Sequence, residues 1–392
     1  MPSLDNRVIL IVSPQAWGKM LLSKHHYAIE LAERGNVVYF LNPPSNTKID
    51  SKDGVEILPS KIADSLFFIN HKPWFAQRLK FHALPLFHAL MRAHVKKILK
   101  KIPHPLEIVW SFDLGNYYPF SLFGKAPLKI FHPVDEPQNT TAIRSAAGCD
   151  IIFSVTREIV EKYHDFSVPR FVINHGVSEK FLDVPSIGHD VHAMKRVGFS
   201  GNLLRNDIDR ETVKTIVEQN PQLYFEFFGS YTDAQSNIGG AQHAESDAFI
   251  AFLQEKDNVR LHGVVGESQL AENLHQMDIF LICYDIEKDQ SKGTNYHKII
   301  EYLSTGKVIV SNNVTAYKDH PQLVTMTRER NNNMELPELF KRVVAGLEEY
   351  NNPEMQALRK SFARDNTYQK QIDRIEARLP EKKKLEAEIQ PA

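Results

Sequence analysis

The chain has 392 residues, 42% of them hydrophobic, which is enough apolar material for two cores of ordinary domain size. Its formal net charge of −1 gives no general attraction for nucleic acid, and we expect no nucleic-acid partner. The two cysteines have no metal or redox spacing, and neither a leader pattern nor a membrane-length apolar run is present, so we expect a cytoplasmic protein with free thiols.

Apolar strand-like runs alternate with longer stretches of helical spacing in the first half, which is typical of a parallel sheet covered by helices. The predicted strands are Val8–Ser13, Asn36–Leu41, Glu107–Trp110, Leu128–Phe131, Ile151–Ser154 and Phe171–Ile173. They predict one doubly wound domain over residues 1–185.

A stretch with proline, glycine and little apolar material, Val184–Lys195, predicts a linker. A second series of strands follows at Lys195–Ser200, Leu223–Phe228, Val259–Leu261, Asp278–Ile282 and Lys307–Ser311. We therefore predict a second Rossmann-like domain over 186–352, then a helical segment over 353–380 and a frayed, charged tail over 381–392. Two such domains leave a ligand cleft between the carboxyl ends of their strands.

The stretch from Gly293 to Val310 predicts a loop, a short helix, a glycine stop and a buried strand. Free backbone N–H groups and the positive dipole end make the helix start attractive to a phosphate, and Lys298 adds a cation there. Glu301 follows one turn later, where a carboxylate can accept hydrogen bonds from a ribose diol.

This stretch resembles the donor site of retaining GT-B glycosyltransferases, especially family 4-like enzymes of surface polysaccharide synthesis, with their Lys-x-x-Glu-Tyr-x-x-x-Gly-Lys-x-Val helix and strand. Other blocks with the family's order and spacing are Trp17 with Ser23–His26, Asn174–Val177, Val197–Leu203, Asn258–Gly263 and Ala363–Tyr368. The resemblance implies an α/β GT-B fold, in which two Rossmann-like domains face a central cleft and a C-terminal helix crosses back to the first domain.

The resemblance also implies a function for each part. Residues 1–185 would bind a glycan or lipid-linked acceptor, residues 186–352 a nucleotide diphosphate sugar, and the activity would be that of a retaining hexosyltransferase. It places donor binding at Gly201, Arg205, Tyr296, His297, Lys298 and Glu301, and the acceptor side at Trp17, Gly18, Lys24 and His25.

Two features depart from the family pattern. The family often pairs two glutamates separated by seven residues, but the position eight before Glu301 is Gly293. Only Arg205 stands where an arginine and a lysine commonly clasp the diphosphate. Phosphate binding would then rest on Arg205, Lys298 and backbone N–H groups.

Polar residues follow the predicted strand Leu128–Phe131, at an edge where such sheets bind ligands. His132 and Asp135 are therefore candidate catalytic residues, which would contact the donor sugar or help to deprotonate the acceptor. The sequence does not choose between them, and a structural histidine beside Pro133 is an equal alternative.

The family binds its donor without a divalent metal, and we expect no metal or other cofactor here. Asp285, Glu287 and Asp289 alternate in one loop, but without a glycine turn and a distal ligand they predict a solvated loop rather than a calcium site.

The segment Ser65–Leu106 contains eight Lys or Arg and five His but no Asp or Glu, interleaved with aromatic and leucine residues. This composition fits an interfacial helix on the anionic inner face of a membrane, and equally a core-facing helix with a basic outer face.

Three other functions compete with transfer. A nucleotide-sugar epimerase shares the architecture, and a catalytically weak sugar-nucleotide-binding partner would explain the two departures. A nicotinamide dehydrogenase is disfavoured because no Gly-x-Gly-x-x-Gly follows Val8–Ser13.

Overall fold

The computed structural model describes residues 3–45, 47, 49–184, 194–232, 243–289 and 291–380, which form two compact units. The first unit comprises Met1–Trp17, Leu22–Asn174 and Tyr368–Ala392, and the second comprises Gly18–Leu21 and His175–Thr367. The main division thus falls after Asn174, whereas we predicted it after residue 185. Most of the predicted linker, residues 185–193, and the predicted tail 381–392 lie outside the described residues.

The first unit contains an eight-stranded sheet in the order β3-β4-β2-β1-β5-β6-β7-β8. All neighbouring strands are parallel except β3, which runs antiparallel to β4 at the edge. The strands are β1 Val8–Val12, β2 Val37–Leu41, β3 Val55–Pro59, β4 Leu66–His71, β5 Ile108–Ser111, β6 Leu128–Phe131, β7 Ile151–Ser154 and β8 Arg170–Val172. The helices before residue 175 are α1 Ser23–Glu33, α2 Leu79–His82, α3 Leu84–Lys101, α4 Thr140–Arg144 and α5 Arg157–Glu161.

Both faces of this sheet are buried, which explains why its strands are continuous apolar runs. In β1, Ile9 and Ile11 pack with α1, while Leu10 and Val12 point to the other face and pack in the cluster that contains residues of α3. Successive side chains of a strand alternate between faces, so one five-residue run supplies two cores.

The second unit contains a six-stranded, all-parallel sheet in the order β11-β10-β9-β12-β13-β14. The strands are β9 Arg196–Ser200, β10 Tyr224–Phe228, β11 Val259–Gly263, β12 Ile279–Ile282, β13 Val308–Ser311 and β14 Thr325–Met326. The remaining helices are α6 Arg210–Gln219, α7 Ala244–Gln254, α8 Glu267–Leu274, α9 Lys298–Thr305, α10 Leu336–Ala345, α11 Leu347–Tyr350, α12 Pro353–Arg364 and α13 Tyr368–Glu376.

Helix α9 is fixed against the second sheet by Tyr302. Its ring stacks on Phe280 of β12 with ring centroids 4.0 Å apart, and its hydroxyl accepts a 2.7 Å hydrogen bond from the backbone N–H of Ser200. Ser200 is the last residue of β9, so this bond sets the first turn of α9 beside the carboxyl edge of the sheet.

The two α/β units confirm the predicted fold class, and most strands end within two residues of their predicted limits. Strands β3, β4 and β14 were missed: β3 is a half-exposed edge strand with Glu56 and Pro59, and β14 has only two residues. The segment predicted as one helix over 353–380 is two helices, of which α12 belongs to the second unit and α13 to the first. No helix among the described residues has the length and apolarity needed to cross a bilayer.

Candidate functional site

Three adjacent strands of the second sheet end at glycines. Gly201 follows β9, Gly229 follows β10 and Gly263 ends β11, with φ values of +142°, +139° and +72°. The backbone N–H of Gly201 donates to Phe228 and that of Gly229 donates to Gly263, each at 2.8 Å. A Cβ on Gly229 would lie 1.9 Å from the carbonyl oxygen of Gly201, so only glycine allows these two turns to pack together. The glycines thus let the ends of the three strands lie side by side at the carboxyl edge of the sheet.

Lys298 lies directly over the first of these turns. Its ammonium donates to the carbonyl oxygen of Ser200 and to the hydroxyl of Tyr284, and a Cβ on Gly201 would come within 2.6 Å of Nζ. Burial, assisted by the nearby Arg205 charge, lowers the pKa of Lys298 to about 7. An anion bound at this turn would restore the favourable environment for the charged ammonium.

Glu301 stands one helical turn further along α9 and is 9% exposed. Its Oε1 lies 3.3 Å from Nδ1 of His297, whose ring packs edge-on against His175 with centroids 5.4 Å apart. Burial raises the pKa of Glu301 to about 8; Glu267 adds to the shift and Lys298 opposes it. Without ligand, this carboxyl therefore holds a proton near neutral pH, and it can either donate or accept a hydrogen bond.

Arg205 is already engaged by carboxylates. Its guanidinium donates to both oxygens of Asp207, and it lies 3.7 Å from Oδ1 of Asp289. Burial works against the charged form, but the Asp207 hydrogen bond raises the pKa of Arg205 above its ordinary value. A phosphate would have to compete with, or share, these two partners.

Asp289 organises the loop that leads into α9, a role the sequence did not reveal. It is fully buried and accepts hydrogen bonds from the backbone and hydroxyl of Ser291, the backbone N–H of Gly293 and the hydroxyl of Tyr296, at 2.6–3.0 Å. The prediction of a solvated loop is therefore wrong at Asp289, although Glu287 is exposed as expected. Tyr296, predicted to bind the donor, is 8% exposed and directs its hydroxyl to this carboxylate.

Gly293 occupies the position where the family often has a glutamate. Its φ is +65°, and a Cβ would lie 2.9 Å from the carbonyl oxygen of Asn313. The loop held by Asp289 thus requires glycine here. Gly293 therefore supports this loop conformation and contributes no carboxylate.

In the first unit, His132 and Asp135 have different environments. His132 is fully buried, and its ring packs against Tyr27, Trp110 and Phe112 with centroids 5.1–6.0 Å apart. Asp135 is exposed at the carboxyl end of β6. Asp135 is therefore the more accessible of the two candidates, and a catalytic role for either residue stays a prediction.

Lys24 lies at the start of α1 and is 1% exposed. Its ammonium donates to the side-chain oxygen of Gln15 in the loop after β1. Burial lowers the pKa of Lys24 to about 8, and the Asp135 charge opposes this shift. Lys24 and Asp135 thus interact at the carboxyl edge of the first sheet.

The other residues predicted on the acceptor side differ in exposure. His25 is fully buried: Nδ1 accepts a 2.8 Å hydrogen bond from the backbone N–H of Leu22 and the ring stacks on Phe40. Burial lowers the pKa of His25 to about 3, so the ring is neutral and caps the helix. Trp17 packs edge-on against His25 and is half-buried, as is Gly18.

The described residues contain no group of three or more His, Cys, Asp or Glu placed to hold a metal ion, and metal independence stays a prediction.

Neither a protein-family model nor a curated protein matches the chain.

Solved structures do match. Sucrose-phosphate synthase from Thermosynechococcus elongatus is 13% identical with a TM-score of 0.68, and the match covers 94% of this chain and 97% of that one. A trehalose-6-phosphate structure from E. coli bound with UDP-2-fluoro glucose is 10% identical, with a TM-score of 0.66 and coverage of 94% and 97%. Anabaena HepE in complex with UDP and glucose is 12% identical, with a TM-score of 0.61 and coverage of 95% and 100%. The chain has the GT-B fold that these proteins share.

Proposed function

We propose that this chain is a glycosyltransferase that moves a hexose from a nucleotide diphosphate donor to a hydroxyl of a glycan or lipid-linked acceptor, with retention of anomeric configuration. The observation that carries the proposal is the position of Lys298 against the glycine turn at Gly201, with Glu301 one helical turn further on. The lysine and the glycine turn would bind a diphosphate, and the carboxyl one turn further on would bind the adjoining ribose.

The donor side has the charges that its chemistry requires. As the bond between the sugar C1 and the diphosphate oxygen breaks, negative charge grows on the leaving group. The Lys298 ammonium, the N-terminal end of α9 and the Arg205 guanidinium would stabilise that charge, because preorganised cations and dipoles act strongly in a partly buried site. Glu301 would accept hydrogen bonds from the ribose diol.

The acceptor side would lie at the carboxyl edge of the first sheet. The acceptor oxygen would form its bond to C1 on the face that the diphosphate leaves, as retention requires, and its proton would pass to a base, a role that we propose for Asp135. We keep the cytoplasm as the expected location; Cys149 and Cys283 are both free and buried.

The first test is a thermal-shift series with UDP, GDP, dTDP, ADP and CMP. A ligand present at about 100 times its dissociation constant stabilises a protein by about 2.7 kcal/mol, which is readily measured. One diphosphate should stabilise the wild type, and Lys298→Ala should lose most of that effect. Lys341→Ala, which removes an exposed lysine of α10, is the matched control and should respond like the wild type.

The second test separates transfer from its rivals. The sugar nucleotide is incubated with the protein, alone and with candidate acceptors, and the products are followed by NMR. Transfer requires the acceptor and preserves the anomeric configuration. Epimerisation without acceptor, or binding without turnover, would replace our proposal with one of the two alternative functions.

A further inference from the structure

The basic segment 65–106 has a core-facing side and an outer side. Within α3, the buried stripe Phe87, Met91, His94, Val95 and Ile98 packs on the first unit. That apolar stripe is therefore occupied by the fold itself. Any contact with another surface must therefore use the exposed residues outside this stripe.

Three large apolar side chains project from this segment into solvent. Trp74, Phe81 and Leu86 are 63%, 74% and 51% exposed, and they stand within thirteen residues of each other. They are among only nine large apolar residues that are exposed in the described part of the chain. We call these three residues the apolar tip, and their exposure within one short stretch of chain makes it a candidate contact surface.

The tip is held in place by packing beneath it. Phe75 contacts Trp74 edge-on on one side and Phe87 of α3 on the other, with ring centroids 5.5 and 5.8 Å apart. The Lys80 ammonium lies 3.8 Å from the centre of the Tyr117 ring, which fixes the turn that carries Phe81. The exposed side chains are thus presented by ordered residues.

The outer face of α3 carries four cations C-terminal to Leu86. Arg92, Lys96, Lys97 and Lys100 are all exposed, and the helical period places Lys97 and Lys100 on the same side as Leu86. At about 1.5 Å per residue, Arg92 lies about 9 Å and Lys100 about 21 Å from Leu86 along the axis of α3. Lys101 is excluded because it forms a 2.8 Å ion pair with Asp53.

We propose that Trp74, Phe81 and Leu86, together with the cationic outer face of α3, dock the first unit on a bilayer that contains anionic lipid. The apolar tip would enter the headgroup boundary while the cations meet lipid phosphates. The occupant follows from charge complementarity: the segment has eight basic residues and no acidic one, and bulky apolar residues beside cations are the combination that a lipid interface selects. A nucleic acid would match the cations but leave the apolar tip unexplained.

The proposal does not depend on the donor chemistry, because these residues belong to the first unit and the proposed donor site to the second. If sugar transfer fails to appear, vesicle binding is still expected. If vesicle binding fails, nucleotide binding is still expected.

The test is sedimentation of the full chain with vesicles of phosphatidylcholine alone or mixed with phosphatidylglycerol. The wild type should sediment only with the anionic vesicles and be released by salt. The triple change Lys96→Glu, Lys97→Glu and Lys100→Glu should weaken binding by about a hundredfold or more, since each cation near such a surface contributes substantially. The triple change Lys61→Glu, Lys125→Glu and Arg144→Glu alters the same charge at exposed sites outside α3 on this unit and should bind like the wild type, apart from a small loss from net charge.

Insertion of the tip is measured by tryptophan fluorescence. Anionic vesicles should shift the emission of the wild type to the blue, and Trp74→Phe should abolish the shift, because Trp110 is fully buried and Trp17 packs against Phe40. The proposal is overturned if the wild type ignores anionic vesicles at low salt, if both charge-reversal variants lose binding equally, or if the blue shift persists in Trp74→Phe. Binding of single-stranded RNA in place of vesicles would also overturn it.

Discussion

The hydroxyl of Tyr296 donates a 2.8 Å hydrogen bond to the buried carboxylate of Asp289, seven residues earlier in the chain. The same carboxylate accepts bonds from Ser291 and Gly293, so one side chain fixes both ends of the loop that enters α9. The loop in turn sets where Lys298 begins the helix. The proposed donor site therefore depends on a side chain that is itself fully buried.

We expect Asp289→Asn to lower both stability and nucleotide affinity. The amide cannot accept four hydrogen bonds with charge, and each bond to a charged group contributes about 1.5–3 kcal/mol. Urea unfolding and nucleotide titration measure the two effects. Asp285→Asn, on the same loop but partly exposed, should change neither by more than about 0.5 kcal/mol, and equal losses in the two variants would contradict a special role for Asp289.

At about pH 9, where the Glu301 carboxyl is ionised, Glu301→Gln is expected to weaken nucleotide binding by about 1.5–3 kcal/mol, because a neutral amide replaces a charge-assisted acceptor. Isothermal titration with the diphosphate found in the thermal-shift series gives the value. Glu338→Gln on the exposed face of α10 is the control. Unchanged affinity in Glu301→Gln would remove Glu301 from the ribose site.

The same substitution has a pH-dependent effect on stability. Glu301 has its pKa raised from 4.5 to about 8, so between these values the folded chain holds a proton that the unfolded chain has lost. Its contribution to the free energy of unfolding therefore falls as pH rises through this window. Glu301→Gln should gain stability relative to the wild type between about pH 5 and about pH 8, by about 1–3 kcal/mol. Urea unfolding at both pH values checks this; a difference independent of pH would show that burial does not shift Glu301.

Gly229→Ala should disrupt the glycine edge of the second sheet. The added Cβ meets the Gly201 carbonyl oxygen at 1.9 Å and the φ of +139° is strained for any other residue, so we expect a loss of about 2 kcal/mol or more and weakened nucleotide binding. Gly266→Ala, where a Cβ meets nothing within 4 Å and φ is negative, should be nearly neutral. Thermal unfolding of the pair gives the comparison, and similar values for both would contradict close packing at Gly229.

Asp135→Asn and His132→Ala should fail in different ways. The first should lower turnover by about a hundredfold at saturating donor with little change in stability, since the group is exposed and proposed as a base. The second should destabilise the first unit by about 2–4 kcal/mol, because it empties a site among packed rings. Turnover and urea unfolding of both variants separate the two roles. Normal turnover in Asp135→Asn would place the catalytic centre elsewhere.

Sequence suggested those parts of the candidate site that are local. Lys298 and Glu301 were proposed as donor-binding residues because helix start, cation and carboxyl follow one another within nine residues of Gly293. Gly229 was missed because its importance arises from contact with Gly201, which no local pattern reveals. Asp289 was misjudged because alternating acidic residues in a loop give no sign of which one is turned inward.

The environment of His132 could have been predicted from the strand that precedes it. Ile130 and Phe131 point to opposite faces of the first sheet, so the next residue returns to the face of Ile130, where Trp110 and Tyr27 lie. The position of His132 at the end of a strand suggested a ligand contact. The alternation of side chains along the strand instead directs His132 into the core. Ile130, Trp110 and Tyr27 carry no charge, which indicates that His132 lies in an apolar environment.

Helix α13 completes the first unit although it follows the whole of the second unit in the chain. Tyr368 stacks on His26 with ring centroids 4.7 Å apart, and Ile372 packs with Tyr27 and Leu31 of α1. A ribosome that has released residues 1–174 has therefore not yet supplied one wall of that unit's core, and the exposed face of α1 must wait until the second unit has been made. Late completion of this kind makes the growing chain a natural client for chaperones that shield apolar surface.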